Sequence, residues 1–143
     1  MKTIKLILAA ATMTAIGAAY VHAQADVIET RQATMKTIGG GMKVLSDMAK
    51  GATTFDADAA NVALASMAEA AATIPTVFEA EVTEGAKTDA STAIWENWDD
   101  FVAKAEALQT AASGASVSDE ASLGAAVGAV GATCGTCHKA YKL

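Results

Sequence analysis

Two cysteines and a histidine near the end of the chain form the segment Cys134-Gly135-Thr136-Cys137-His138, a C-x-x-C-H motif. Three-residue spacing places the two thiols about one turn apart on one face of a helix. Thiols placed in this way can each form a thioether with one of the two adjacent vinyl groups of a haem. His138 is the next residue after Cys137, and from this position its imidazole can reach the iron beneath the same ring. The motif therefore predicts one covalent haem c, attached through Cys134 and Cys137, with His138 as an iron ligand.

Three other chemistries use the same types of residue. A redox C-x-x-C pair normally opens a helix after a strand, where the helix dipole lowers the thiol pKa, whereas this motif lies deep in a final helix. A zinc site needs about four ligands, and the motif offers three. A disulfide between residues three apart in a regular helix has strained geometry. Each of the three is therefore a weaker interpretation than haem attachment.

The helix that carries the motif is predicted to open at Ser118, with acidic residues in its first turn, and to continue to the end of the sequence. Its apolar stripe advances in alternating steps of four and three residues, through Leu123, Val127, Val130, Cys134, Cys137 and Tyr141. This register predicts that both cysteines face the interior of a helical domain rather than solvent.

Ala-rich, Pro-poor composition and three-four spacing of apolar residues predict further helices, and the four predicted segments are residues 26–50, 56–75, 89–114 and 118–143. The second segment is capped by Asp56 or Asp58 and is expected to end at Pro75, because the residue before proline avoids the helical region. A loop over residues 77–85 follows, with Phe78 as its anchor.

A run of three glycines, residues 39–41, is expected to weaken or bend the first helix, since each glycine costs about 1 kcal/mol relative to alanine. Four helices with short connections predict an all-α fold, an antiparallel up-down-up-down four-helix bundle of left-handed twist. The haem is expected to lie near the C-terminal helix.

The first residues indicate export rather than a folded element. A short basic start precedes an apolar stretch over residues 6–19, and Val21-His22-Ala23 ends in the small-x-small pattern of a cleavage site. The stretch is shorter than the roughly 20 residues of a membrane-spanning helix. We therefore expect a signal peptide over residues 1–23, a mature haem domain over 24–143 without a membrane span, and a periplasmic location.

Removing residues 1–23 takes away two lysines. The remaining chain has eight basic and sixteen acidic residues, so the net charge goes from -6 to -8. An acidic surface repels phosphate backbones, which argues against nucleic-acid binding. No paired carboxylates at convincing spacing, no serine–histidine arrangement and no phosphate loop are present, so the sequence does not indicate a substrate-converting enzyme.

Residues 130–142, which contain the motif, resemble the C-terminal haem site of the class II cytochromes c, the cytochrome c′ family. In that family the motif lies at the far end of the chain, and members have the four-helix topology predicted above. The resemblance spans residues 26–143, and its individually weaker matches are Arg31-Gln32 ahead of Met35, Thr83-Glu84-Gly85, Ile94-Trp95 and Lys142.

The resemblance implies roles for residues of the first helix. Arg31 and Gln32 would contact the haem propionates, and Met35 would lie over the distal face of the ring. Plainer interpretations exist for all three: the pair could be a solvated helix start, and Met35 could be ordinary core.

Two coordination states follow from the resemblance. In one, the iron is five-coordinate and high-spin, and the protein binds nitric oxide or carbon monoxide or transfers electrons. In the alternative, Met35 is the second axial ligand of a six-coordinate low-spin carrier. Family members of both coordination states have methionine at the position of Met35. The high-spin members are more similar to this chain at Arg31-Gln32, residues 39–43 and Ile94-Trp95, so we expect the five-coordinate state.

The expected partners are these gases or redox proteins, together with a second copy of the chain through its first helix. The small residues 39–41 could permit close approach of two chains there. A non-haem helical bundle, structural or interacting, with an incidental C-x-x-C-H motif is the remaining alternative class.

Overall fold

The computed structural model describes the backbone of residues 2–143 and the side chains of residues 23–143. It contains α1 (Lys2–Ala49), α2 (Ala57–Phe78), α3 (Ala93–Glu96), α4 (Trp98–Gly114) and α5 (Glu120–Tyr141). The predicted signal segment, apart from Ala23, lies outside the residues whose side chains are described. Among the described residues, no helix has the length and apolar character needed to cross a membrane.

The long helices pack as the four sides of a bundle. Helix α1 packs on α2, α2 on α4, α4 on α5, and α5 closes the ring against α1. One core fills the space between them, and its fully buried side chains include Leu45, Leu64, Met67, Leu123 and Val130. The all-α four-helix bundle predicted from the sequence is confirmed.

The glycine run does not interrupt the first helix, which continues from Lys2 to Ala49. Ile38 and Leu45, on either side of the run, are both buried and hold it against the core. A Cβ atom added at Gly41 would lie 2.7 Å from Met67 Sδ and 3.1 Å from the carbonyl oxygen of Ala63. Gly41 therefore permits a close approach of α1 and α2. The helix ends at Ala49, one residue before the predicted end at 50, and Gly51 beyond it has a φ of 70°.

The expected end of the second helix at Pro75 is wrong, because α2 continues to Phe78. Asp56 caps its start as predicted, accepting a hydrogen bond from the backbone N–H of Ala59 at 3.0 Å. Pro75 lies in the last turn, so it removes only one backbone hydrogen bond near the helix end. Burial of Ile74 and Phe78 on either side of the proline keeps this turn helical.

The third predicted helix, residues 89–114, starts four residues later than expected and is divided into α3 and α4. Residues 89–91 are extended: Ala90 forms a β-bridge with Lys142, and the backbone N–H of Ser91 donates to the carbonyl of Tyr141 at 3.0 Å. The backbone at Asn97, with φ −129° and ψ 48°, separates α3 from α4. Pairing with the final residues therefore replaces the helical start predicted at Asp89.

Helix α5 begins two residues after the predicted Ser118. Asp119 is its N-cap and forms a capping box with Ser122, so that each side chain accepts a backbone N–H of the other residue. The predicted stripe is found in this helix: Leu123, Val130 and Tyr141 are buried, and both cysteines pack against the core. This register fixes the direction in which the C-x-x-C-H motif faces.

Candidate functional site

A cavity of about 810 Å³ lies between the middle of α1, the segment 86–90 and the end of α5. Its volume is within the range of roughly 300–1,000 Å³ usual for small-molecule and cofactor sites. Apolar side chains from several elements line its interior, among them Ile28, Phe78, Ile94 and Phe101. The cavity can therefore take a large, mainly apolar ligand.

The motif lies at one wall of this cavity. Cys137 and His138 line it, and Cys134, one turn earlier on α5, is half-buried and packs against the core. Both cysteines are free thiols, and burial raises the pKa of each above its usual value. The two thiols and the imidazole therefore share one end of the bundle, in the order that the sequence predicts.

These features weigh against the other chemistries of the motif. A redox-active thiol needs a lowered pKa, whereas burial raises the pKa of both Cys134 and Cys137. Among the described side chains, no three or more His, Cys, Asp or Glu residues form a group that could hold a metal ion. The free state of the thiols also agrees with the strain expected of a disulfide within this helix.

Arg31 on α1 is 2% exposed, and among the described residues it is the one charged residue that is buried. Its Nε donates to the carbonyl of Val77 at 3.0 Å, and one terminal nitrogen donates to the carbonyl of Val82 at 2.6 Å. The other terminal nitrogen donates to the carbonyl of Ala80. Arg31 therefore fixes the last turn of α2 and the loop that follows it, a role that the sequence did not predict.

Two aromatic rings enclose the same guanidinium. Its central carbon lies 5.0 Å from the ring centre of Phe78 and 5.2 Å from that of Trp95, distances suited to cation–π attraction. Trp95 is held in turn by donating its indole N–H to the carbonyl of Phe78 at 2.8 Å. Burial lowers the pKa of Arg31, although a guanidinium stays protonated.

Arg31 is a buried cation, and the ion pairs found among the described side chains do not include it. It also lines the cavity, and three of its five N–H groups are used by the loop carbonyls, so that two remain. Buried charges are normally paired. A cavity bordered by such a cation suits a ligand that has an apolar body and an anionic edge, which is the chemistry of a haem with its two propionates.

The other two residues predicted on α1 reach the same cavity. Gln32 is exposed, and its side-chain amide donates to the carbonyl of Lys87 at 2.8 Å. Met35 is half-buried, packs against the core and lines the cavity together with Cys137 and His138. The fold thus brings together predicted residues from both ends of the sequence.

A chain of polar side chains that the sequence did not predict lies behind the motif. The hydroxyl of Tyr141 donates to Asp100, whose other carboxylate oxygen accepts from Lys104 at 2.7 Å. The bond to Asp100 raises the pKa of Tyr141 to about 12. Tyr141 was assigned to the apolar stripe, but only the fold reveals that Asp100 on α4 faces it.

Known proteins resemble the chain over most of its length. A sequence profile described as Cytochrome C′ matches residues 26–142. A cytochrome c-556 of Agrobacterium fabrum is 38% identical over 143 residues, which are 98% of this chain and 96% of that protein. The structure of cytochrome c′ from Rhodopseudomonas palustris superposes with a TM-score of 0.78 and 34% identity, covering 82% of this chain and 96% of that one. The nitric oxide complex of a mutant cytochrome c prime from Alcaligenes xylosoxidans has a TM-score of 0.71 and 27% identity, with 83% and 95% covered.

Proposed function

The chain belongs to the cytochrome c′ family and is a haem c cytochrome, and we propose that Cys134 and Cys137 bind the haem while His138 ligates its iron. The observation that carries this assignment is the shared cavity, which is lined by Cys137 and His138 on α5 and by Arg31, Gln32 and Met35 on the neighbouring α1. When bound, the haem supplies an iron that exchanges single electrons and binds small gases.

The protein's own contribution is attachment, orientation and shielding. Thioethers at Cys134 and Cys137 would hold the ring against α5, and the imidazole of His138 would ligate the iron. Arg31, with its two remaining N–H groups, and Gln32 hold the propionates, for which a guanidinium fork is well suited. The apolar residues Phe78, Ile94 and Phe101 keep water from the ring.

We place Met35 over the distal face of a five-coordinate, high-spin iron. A distal pocket without a second histidine offers no imidazole hydrogen bond to bound dioxygen, and nitric oxide or carbon monoxide needs such a donor less. The nitric oxide complex of the Alcaligenes xylosoxidans relative supports gas binding. We therefore propose that the protein binds nitric oxide or carbon monoxide, slowly because Met35 must move aside, or transfers electrons, and that it does not convert a substrate.

A second candidate rests on Met35, which lines the same cavity as His138. In this alternative its sulfur is the second axial ligand, and the protein is a dedicated electron carrier. Ferric optical and EPR spectra separate the two states. A near-infrared band of methionine–iron ligation, or conversion of a low-spin protein to high-spin by Met35→Ala, would contradict the five-coordinate proposal.

Covalent attachment is tested directly on a gel. The mature protein is denatured with reductant, separated and stained for haem peroxidase activity, and the stain is expected to stay with the protein band. Replacing both Cys134 and Cys137 by alanine should release the haem, whereas either single replacement should leave one thioether. A protein band that never stains would contradict the assignment.

The ligand is tested with His138→Ala, because residues 24–143 contain no other histidine. Loss of the imidazole should change the optical spectrum and weaken iron binding, while both thioethers keep the haem on the protein. An unchanged spectrum would show that His138 is not the ligand.

The remaining expectations concern the setting of the protein. We propose that residues 1–23 are removed on export, that the mature protein acts in the periplasm, and that redox proteins or a second copy of the chain are its protein partners. Gly39 and Gly40 are exposed on α1, with no atom within 4 Å of an added Cβ, which would allow close approach of two first helices. Sedimentation of the mature protein tests the dimer.

A further inference from the structure

The charges around the cavity differ from those of the chain as a whole. Eight basic and sixteen acidic residues occur in positions 24–143, yet the cavity is lined by four of the basic residues and only two of the acidic ones. Four cations against two carboxylates leave a net charge of +2 at the cavity in a chain segment whose net charge is -8. This concentration of positive charge suits a ligand with two carboxylates.

Two of the four cations are already engaged. Lys142 pairs with Asp89, one of the two acids, at 3.1 Å. Arg31 is buried and directs three N–H groups at loop carbonyls. The other two cations, Lys36 and Lys87, are exposed, and the ion pairs of the described side chains include neither.

Lys36 and Lys87 both line the cavity. Gln32 connects them, because its amide donates to the backbone carbonyl of Lys87 and Lys36 follows Gln32 by one turn of α1. The remaining acid, Glu29, lies two turns before Lys36. The polar edge formed by Gln32, Lys36 and Lys87 therefore contrasts with the apolar interior.

We propose that Lys36 and Lys87 are ion-pair partners of the two haem propionates, an inference that rests on the proposed haem attachment. A haem has one anionic edge, and burying its apolar body in the cavity favours the placement of that edge at the border where unpaired cations lie. Lysine suits this position because it is a flexible point charge that stays in water along an apolar stem. The two lysines act together with Arg31, whose two remaining N–H groups bind the propionates while the other three hold the end of α2 and the loop after it.

A cation near the ring disfavours the ferric state, which carries one more positive charge than the ferrous state. Lys36→Gln combined with Lys87→Gln should therefore shift the ferric-to-ferrous ratio at a fixed applied potential toward ferric. We expect about threefold from exposed charges, which is ~28 mV at 59 mV per tenfold for one electron. Resonance Raman spectra should also show a shift of the propionate bending modes, which respond to hydrogen bonding at the carboxylates.

The matched control is Lys43→Gln combined with Lys50→Gln, which removes the same charge near the end of α1, away from the cavity lining. It should change neither the potential nor the propionate modes. Lys36→Arg combined with Lys87→Arg keeps both charges and should leave the native values unchanged. Equal shifts in both double variants, or unchanged propionate modes in the first, would overturn the proposal. An unstained wild-type band on the gel would instead refute haem attachment itself.

Discussion

The buried guanidinium of Arg31 gives the sharpest stability prediction. Arg31→Lys keeps the positive charge but replaces a fork that reaches three carbonyls by a single ammonium, which we expect to satisfy one of them. A hydrogen bond to a charged group contributes about 1.5–3 kcal/mol. The residues that carry the acceptors are half-buried or exposed, so the freed carbonyls can meet water and the lower figure applies. Two lost bonds then reduce the free energy of unfolding by ~3 kcal/mol.

Gln32→Ala is the matched control for this prediction. It removes a side chain from the next position of α1 that also bonds to a backbone carbonyl after α2, but the residue is exposed and makes one such bond. Its loss should reduce stability by about 0.5–1 kcal/mol. Urea titrations of the haem-loaded proteins, followed by far-ultraviolet circular dichroism, measure both changes. If Arg31→Lys costs no more than Gln32→Ala, the loop does not depend on the fork.

Three further predictions concern the bundle itself. Gly40→Ala should stabilise α1 by about 1 kcal/mol. The Gly41→Ala variant should be less stable than the Gly40→Ala variant by about 1–3 kcal/mol, because its Cβ overlaps a buried side chain of α2. Equal unfolding midpoints in urea would contradict the close approach of α1 and α2. The hydrogen bond to Asp100 raises the pKa of Tyr141 to about 12 from 10.0, so the folded state keeps that proton longer than the unfolded chain. Stability should therefore fall as pH rises through that interval, and Tyr141→Phe should reduce the fall in melting scans. Asp119→Ala should lower the stability at neutral pH by removing the N-cap of α5. Because hydrogen bonds from Ser122 lower the pKa of Asp119, the difference should disappear in acid, and a loss of stability that persists there would contradict the ionic cap.

The sequence predicted the parts of the structure that depend on local periodicity. The stripe from Leu123 to Tyr141 predicted which face of α5 is buried, and Asp56 predicted where α2 begins. The motif and the resemblance together named Met35 and His138, which are far apart in the sequence and line one cavity. These predictions succeeded because helix period and capping act within a few residues.

Long-range contacts decided what the sequence could not. Local preference placed a helix end at Pro75, but burial of Phe78 beyond it outweighs one missing hydrogen bond. The residue type of Asp89 predicts a helix N-cap, yet the extended residues 89–91 pair with the last residues of the chain. The loop-holding role of Arg31 depends on carbonyls 46 to 51 residues away, and no local pattern records such a partner.

The position of the cavity between α1 and α5 has a consequence for motion. Contact between these two helices is the least extensive of the four sides of the bundle, so local opening should require the least free energy along this seam. A ligand fixed to α5 and held by residues of α1 would convert the weakest side into a bridged one. Amide hydrogens along the contact between α1 and α5 should therefore exchange quickly in the apoprotein and slowly once the haem is attached. The cofactor would then stabilise the bundle as well as supply its reactive centre.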